Sequence, residues 1–208
     1  MTLLRVLVTE DEPGAADEAV HQLTNAGHTV LRCCEPTEAA FPCAALRDAS
    51  SCPLRDGGVD VALDVRREAR PQPTRREEGA LCAVRQHVPL VVAGGEVFDP
   101  FERWESEALG RTDDVVDACE RVARAPLPEH TRRAAAAAQD VLTVRGHRGV
   151  VLLVAVHRFG GRLVVRVRAS ADLAQDVRSM ISVRVVAALR SYDRDATGID
   201  VLFVDAPG

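Results

Sequence analysis

Short apolar runs alternate with helical patterns over residues 1–125. Four runs are rich in Val and Leu and have the length of buried strands, at 2–8, 28–34, 59–65 and 89–95. Apolar residues at helical spacing predict three helices, at 13–27, 78–88 and 113–125. The segment 35–58 is rich in turn residues and has little periodicity, so it predicts a short helix or an irregular insertion.

The order of these elements predicts the fold of the first domain. A strand, a helix and a strand follow one another within residues 1–33, and this order is a βαβ unit. Such units build parallel sheets with right-handed crossovers. We therefore predict an α/β domain over residues 1–125, with a flavodoxin-like parallel sheet and helices on both faces.

The pattern changes after this domain. Residues 126–130, with the sequence PLPEH, predict a linker. Beyond the linker the predicted order is helix, strand, strand, helix and strand, at 131–142, 149–158, 162–169, 172–193 and 199–205. Asp172 and Gln175 have the spacing of a capping box for the second of these helices. The αββαβ order predicts a small α+β domain over residues 131–208.

Charge separates the same two regions and restricts the chemistry. Residues 1–125 carry 14 Arg against 23 Asp and Glu, whereas residues 126–208 carry 12 Arg against 8 acidic residues. The second domain is therefore the one suited to an anionic partner. All 26 basic residues are arginine. Because the chain has no lysine, it cannot form a P-loop or any site that needs a lysine amine with a lowered pKa.

Acidic residues mark the ends of the first and third predicted strands. Glu10 and Asp11 stand in RVLVTEDEPG, Asp64 stands in VDVALDV, and Pro73 and Gly79 follow. This pattern resembles the receiver domain of bacterial response regulators, in which an acidic pair holds Mg²⁺ and an aspartate accepts a phosphoryl group. The resemblance implies a Mg²⁺ site at Glu10, Asp11 and Asp64, with Asp64 as the phosphoacceptor-like residue. Carboxylates at strand ends of a parallel sheet are also suitable ligands for a hard divalent cation.

Two departures from the receiver pattern concern the residues that contact the phosphoryl group. Ala93 stands where the family has Thr or Ser, and the chain lacks the lysine that ends the family's fifth strand. The segment FDPFERW is similar to the family's Lys-Pro-Phe motif, with Asp99 in the lysine position. We therefore expect a non-catalytic regulatory or scaffold protein whose receiver-like domain has lost phospho-switching.

The alternative is a Mg²⁺- or metal-dependent enzyme, or a cofactor-binding protein. It would use the strand-end carboxylates, or a thiol site built on Cys43 and Cys52 in the insertion. The six cysteines show no CxxC pair, and buried thiols act as small apolar side chains in many cores. No nucleophile motif is evident, so a non-enzyme is favoured. Because no leader peptide or apolar run of membrane-spanning length is evident, we expect a cytoplasmic protein with reduced thiols.

In the second domain, Arg162, Arg166 and Arg168 lie on one side of a predicted strand. They form either a face for an anionic partner or a solvated strand face. No aromatic residues alternate with them, so nucleic acid is not the favoured partner. The αββαβ order, with VRVVAALRSYDRDATGIDVLFVD, resembles the alkaline-shock-protein family. This resemblance implies an interaction or oligomerisation module, so we expect a protein partner or self-association through this domain.

Overall fold

The computed structural model describes residues 3–35, 37, 39–40, 43–55, 58–94, 99–110, 112 and 114–204. The chain divides into two compact units, Met1–Arg124 and Ala125–Gly208. Each unit has a hydrophobic core of its own. Within the described ranges, none of the helices combines the length and the apolar character that a membrane crossing requires.

The first unit is built on a five-stranded parallel sheet. Its strands are β1 (Arg5–Glu10), β2 (Thr29–Arg32), β3 (Val61–Val65), β4 (Leu90–Ala93) and β5 (Glu107–Leu109). They are ordered β2-β1-β3-β4-β5, and every pair of neighbours is parallel. This is the flavodoxin-like strand order, so the predicted parallel α/β sheet is confirmed.

Helices cover both faces of this sheet. They are α1 (Asp17–Asn25), α2 (Ala44–Arg47), α3 (Glu78–Arg85) and α4 (Val115–Arg124), with 3₁₀ turns at Ala49–Ser51 and Arg75–Glu77. Side chains of a strand alternate between the two faces. Val6 and Val8 accordingly pack with α1 and α4 in one core, whereas Leu7 packs with α3 in the other.

The sequence pattern did not predict β5. This strand has three residues, of which Ala108 is exposed. No regular helix lies among the described residues of the connection from β4, in which residues 99–106 form turns. A short and half-exposed edge strand has no continuous apolar run, which is the signal on which strand prediction depends.

The second unit has the element order αββαβ. Its elements are α5 (Pro128–Val144), β6 (Leu152–Phe159), β7 (Arg162–Ala169), α6 (Gln175–Tyr192) and β8 (Gly198–Phe203). In its three-stranded sheet, β7 pairs antiparallel with β6 and parallel with β8. Both helices pack on one face of the sheet, where Val156, Val165 and Val167 join Ile181 and Leu142 in the core. The small α+β domain is thus observed.

Two predicted details of this unit differ from the structure. Helix α5 begins at Pro128, so the segment predicted as a linker, 126–130, contains its first turn. Proline is suited to this position because its missing N–H would have no helical partner. Helix α6 begins at Gln175 with Ala174 in the N-cap position and no side-chain cap, and Asp172, two residues earlier, pairs with Arg178.

The buried carboxylate of Asp193 joins the end of α6 to the start of α5 and to β6. The Oδ2 atom of Asp193 lies 2.9 Å from His130 Nε2 and 2.5 Å from an Arg158 Nη atom. Burial acts to raise the pKa of Asp193, but the His130 hydrogen bond and the Arg158 charge outweigh it and hold this pKa below its usual range. The ionised carboxylate therefore belongs to the folded state.

The outer edge of β6 is bonded to the beginning of α5. The Leu127 N–H donates to the Val156 carbonyl oxygen over 2.7 Å, and the Val156 N–H donates to Thr131 Oγ1 over 3.0 Å. Both backbone groups of Val156 that point away from β7 are therefore occupied. Helix α5 is joined to the sheet at its edge as well as through the core.

Candidate functional site at the strand ends

The acidic residues singled out by the sequence lie at the carboxyl edge of the parallel sheet. Glu10 ends β1, Asp11 follows it, and Asp64 lies in β3 next to Thr9. All three carboxyl groups are buried, with Asp64 completely inaccessible to solvent. Buried carboxylates require partners, so the chemistry of this edge depends on what each one contacts.

Glu10 is held by two guanidinium groups and one amide. Its Oε1 atom lies 3.4 Å from an Arg32 Nη atom and 3.7 Å from an Arg76 Nη atom. Its Oε2 atom accepts the Ala16 N–H over 3.2 Å, just before α1. Glu10 thus joins β1 to its neighbouring strand and helix, and its charge is balanced by arginine.

Asp11 is held by the backbone that follows β3. Its carboxylate accepts the N–H groups of Arg67 and Glu68, at distances of 3.0–3.1 Å. Its own N–H donates to the Val65 carbonyl oxygen over 3.1 Å. Asp11 therefore shapes the β3 loop. Glu12, the third acid of the run, is part-exposed and pairs with Arg70 at 2.9 Å.

Asp64 has a different environment from the other two acids. The Thr9 hydroxyl donates to its Oδ1 atom over 2.5 Å, whereas its Oδ2 atom receives no hydrogen bond from the described residues. Burial, followed by the negative charge of Glu77, raises the pKa of Asp64 well above its usual range. A proton on Asp64 is therefore favoured.

Glu77 and Arg66 form a buried ion pair that sequence reasoning missed. Arg66 Nε donates to Glu77 Oε1 over 2.8 Å, and neither side chain is exposed. Glu77 also completes a capping box with Thr74 at the turn that leads into α3. The sequence Thr-x-x-Glu at 74–77 was the available signal for this cap. Nothing in an arginine-rich loop distinguished Arg66 as the one that is buried.

Backbone closes the remaining side of this pocket. Gly94 follows β4 with φ +87°, and a Cβ atom there would lie 2.0 Å from the Arg66 carbonyl oxygen. Ala93 is fully buried, and its carbonyl oxygen accepts the Arg66 N–H over 2.8 Å. On the other side, a Cβ atom at Gly79 would lie 2.8 Å from Thr9 Cγ2, so α3 approaches β1 closely. The pocket is filled by protein atoms.

The segment similar to the Lys-Pro-Phe motif is anchored by its phenylalanine. Phe101 is fully buried in the core beside α3, and its N–H donates to Asp99 Oδ1 over 2.7 Å. Burial and a hydrogen bond with Asp99 raise the pKa of Glu105 to about 7. Residues 99–105 precede β5, so the structure does not place Asp99 at the end of the fifth strand, where the receiver family has its lysine.

The arrangement does not favour a metal ion. Among the described residues, no group of three or more His, Cys, Asp or Glu side chains could hold one. The proposed Mg²⁺ ligands Glu10, Asp11 and Asp64 share the sheet edge, but they are engaged by arginine, by amides and by a proton. Their contacts join the ends of β1 and β3 to neighbouring segments, and the Mg²⁺ site at these residues stays a prediction.

The cysteines of the insertion lie near other thiols. Burial raises the pKa of Cys33 to about 12, and Cys52, Cys43 and Cys82 contribute further to the rise. Cys33 and Cys52 pack as apolar side chains against the core beside α3. The thiol site predicted on Cys43 and Cys52 therefore has more cysteines around it than spacing indicated. Among the described residues, these cysteines do not form a group of three or more side chains that could hold a metal ion.

The three arginines of the second unit lie on the side of β7 that α5 and α6 leave open. Arg162 donates three hydrogen bonds to the Asp200 carboxylate, at 2.7–3.2 Å. Arg166 and Arg168 are exposed and form no ion pair with the described residues. The structure thus separates one paired arginine from two that are open to a partner.

No protein-family model matches the chain, and no curated protein is significantly similar to it. Function must therefore be argued from the two sites themselves. The carboxyl groups at the strand ends are buried, whereas Arg166 and Arg168 of β7 are exposed.

The protonated state of Asp64 has a consequence for pH dependence. Because the folded state raises its pKa, its stabilising contribution is complete below the ordinary pKa of 3.8 and is lost as pH rises through the folded-state value. In Asp64→Asn, the amide keeps an oxygen for the Thr9 hydroxyl and has no charge to be buried. We expect this variant to be at least as stable as the wild type at neutral pH, with a smaller decline as pH rises above about 4. Urea unfolding at several pH values measures the difference.

The control for this prediction is Asp48→Asn. Hydrogen bonds from Ser50 hold the pKa of the exposed Asp48 below its usual range, so this substitution affects pH dependence with the opposite sign. If Asp64→Asn destabilised the protein more at pH 8 than at pH 4, Asp64 would be ionised in the folded state.

Proposed function

We propose that the chain is a non-catalytic regulatory or scaffold protein. In this proposal, the first unit is a receiver-like domain that has lost phospho-switching, and the second unit is an interaction module. The receiver-like assignment is supported by the strand order and by the position of Asp64 beside the acidic pair. The similarity of the second unit to the alkaline-shock-protein family is supported only by its element order.

The observation that carries this proposal is the burial of Asp64. Phosphoryl transfer to an aspartate requires an ionised carboxylate that the phosphoryl donor can approach in line. In this protein the Asp64 side chain is inaccessible, Thr9 bonds one of its oxygens, and protonation is favoured. Ala93 stands at the family's hydroxyl position and the chain has no lysine, so neither of the usual phosphate contacts is available.

Acetyl phosphate with Mg²⁺ tests the loss of phospho-switching. We expect the intact mass of the folded chain, measured under mildly acidic quench, to show no added phosphoryl group. The mass spectrum is simplified because the chain has no lysine side chain that acetyl phosphate could acetylate. A phosphoryl adduct that forms in the wild type and disappears in Asp64→Asn would show a working receiver.

The buried groups also argue against an enzyme at this edge. Catalytic acids and bases must reach a substrate, and Asp64, Glu77 and Arg66 are all sealed from solvent. Arg66 and Glu77 pair with each other, and the raised pKa of Asp64 follows from its burial and from the charge of Glu77. An interaction role for the second unit has a separate basis, because that unit exposes cations and apolar side chains together on its open sheet face.

A further inference from the structure

The open face is the side of the β6–β8 sheet that points away from α5 and α6. Apolar side chains are exposed on it, with 65% of Leu153, 49% of Leu202 and 39% of Val204 accessible to solvent. A shallow groove of about 540 Å³ runs over this face. Large apolar side chains grouped in this way on a folded unit mark surfaces that bind other molecules.

Strand register places arginine between these apolar residues. Arg168 lies opposite Leu153 of β6, and Arg166 lies opposite Leu202 of β8. Because β7 is the central strand, the two guanidinium groups form a middle row with apolar side chains on either side. The face is therefore amphipathic across the strands, with its charge at the centre.

The cations of the middle row are available for a partner. Asp200 is the one acidic residue of the three strands, and it is already bonded to Arg162. Arg166 and Arg168 have no acidic partner among the described residues. Charge complementarity therefore calls for carboxylates or phosphates on the bound molecule.

Two classes of occupant fit this face poorly. In a symmetric dimer through the open face, Arg166 and Arg168 would meet the same arginines of the second copy, and like charges repel. A nucleic acid would satisfy the arginines but would leave Leu153 and Leu202 against polar sugar and phosphate groups. The apolar flanks and the central cations together are suited to a protein segment.

We propose that the open face binds an acidic amphipathic helix of a partner protein. Carboxylates at positions i and i+4 of a helix are about 6 Å apart along its axis. Arg166 and Arg168, two residues apart on β7, are separated by about 7 Å along the strand. A helix about 10 Å wide also covers three strands spaced about 4.8 Å apart. Its leucines would then contact Leu153 and Leu202 on either side.

This inference rests on the proposed role of the second unit as an interaction module. It is tested with the full chain and a fluorescent helix-forming peptide that carries Glu at i and i+4 between Leu residues. A second peptide has Gln in place of each Glu, and a single-stranded oligonucleotide is the third probe. We expect the Glu peptide to bind at least about tenfold more tightly than either of the others in fluorescence anisotropy.

Matched variants locate the binding surface. The double variant Arg166→Glu/Arg168→Glu and the single variant Leu153→Asp should each weaken binding of the Glu peptide by about tenfold or more. Arg184→Glu changes an exposed arginine of α6, and it should leave binding within about twofold. Circular dichroism confirms that each variant is folded.

Other results would overturn the proposal. These are no binding of the Glu peptide, equal binding by the double arginine variant, and tighter binding of the oligonucleotide. A dimer in sedimentation equilibrium that Leu153→Asp dissociates would assign the face to self-association. None of these outcomes bears on Asp64, so failure here is distinct from a phosphoryl adduct in the first unit.

Discussion

Replacing Arg66 with methionine is expected to lower the free energy of unfolding of the first unit by about 3–5 kcal/mol. The substitution keeps much of the side-chain volume but leaves the Glu77 carboxylate buried without its cation. Removing one partner of a buried ion pair has a large effect because the remaining charge is not solvated. Trp104, the only tryptophan, lies in this unit, so its fluorescence during urea unfolding measures the change.

Arg70→Met is the matched control for this experiment. Arg70 is in the same loop and pairs with Glu12 and Glu68 at 2.9 and 2.7 Å, but its side chain is part-exposed. Exposed ion pairs contribute about 1 kcal/mol or less, so this variant should be close to the wild type. The double variant Arg66→Met/Glu77→Met should recover part of the loss, because no unpaired charge remains. Equal effects of Arg66→Met and Arg70→Met would contradict a buried ion pair.

Gly94→Ala is expected to destabilise the first unit by roughly 3 kcal/mol or more. The backbone at Gly94 has φ +87°, a region that alanine rarely adopts. The added Cβ atom would also lie 2.0 Å from the Arg66 carbonyl oxygen, so the ends of β3 and β4 would have to separate. Urea unfolding followed by Trp104 fluorescence measures this effect as well.

Gly146→Ala separates the two causes of that loss. Gly146 has a similar φ of +76°, and no atom lies within 4 Å of a Cβ placed there. This control therefore introduces the backbone strain without the steric clash. We expect it to lower the free energy of unfolding by about 1 kcal/mol. It lies in the second unit, so its unfolding is followed by near-ultraviolet dichroism of Tyr192, the only tyrosine. If Gly94→Ala were as mild, the approach of the two strands would be looser than the structure shows.

The periodic elements of the chain were predictable because their signals are local. Apolar runs predicted β1 to β4, and the element order predicted the parallel sheet. The short edge strand β5 has no such run and was missed. Asp172 was expected to cap α6, but the helix begins at Gln175 with Ala174 as its N-cap, and Asp172 pairs with Arg178 in the first turn of the helix. Helix ends are the least certain part of a periodic pattern, because the pattern marks the buried face rather than the first residue.

The position of the candidate site was predictable from the sequence, but the protonation state of Asp64 was not. Strand ends placed Glu10, Asp11 and Asp64 at one edge, since parallel strands end together. The ionisation of Asp64 depends also on Glu77 and Arg66, which reach this edge from a helix cap and a loop. No spacing rule connects residues that are brought together only by the β3–α3 loop. The protonation of Asp64 is thus a property of the folded protein.

The bond between Val156 and the start of α5 also affects how the second unit can aggregate. Sheets join edge to edge when an incoming strand finds a continuous row of free backbone donors and acceptors. Leu127 and Thr131 occupy that row in the middle of β6, so an incoming strand cannot extend along this edge. Edge-to-edge growth along β6 is therefore blocked at its centre, and β8 forms the opposite edge of the sheet. Loss of the Thr131 hydroxyl would free the Val156 N–H, whereas Leu127 would still occupy the Val156 carbonyl oxygen.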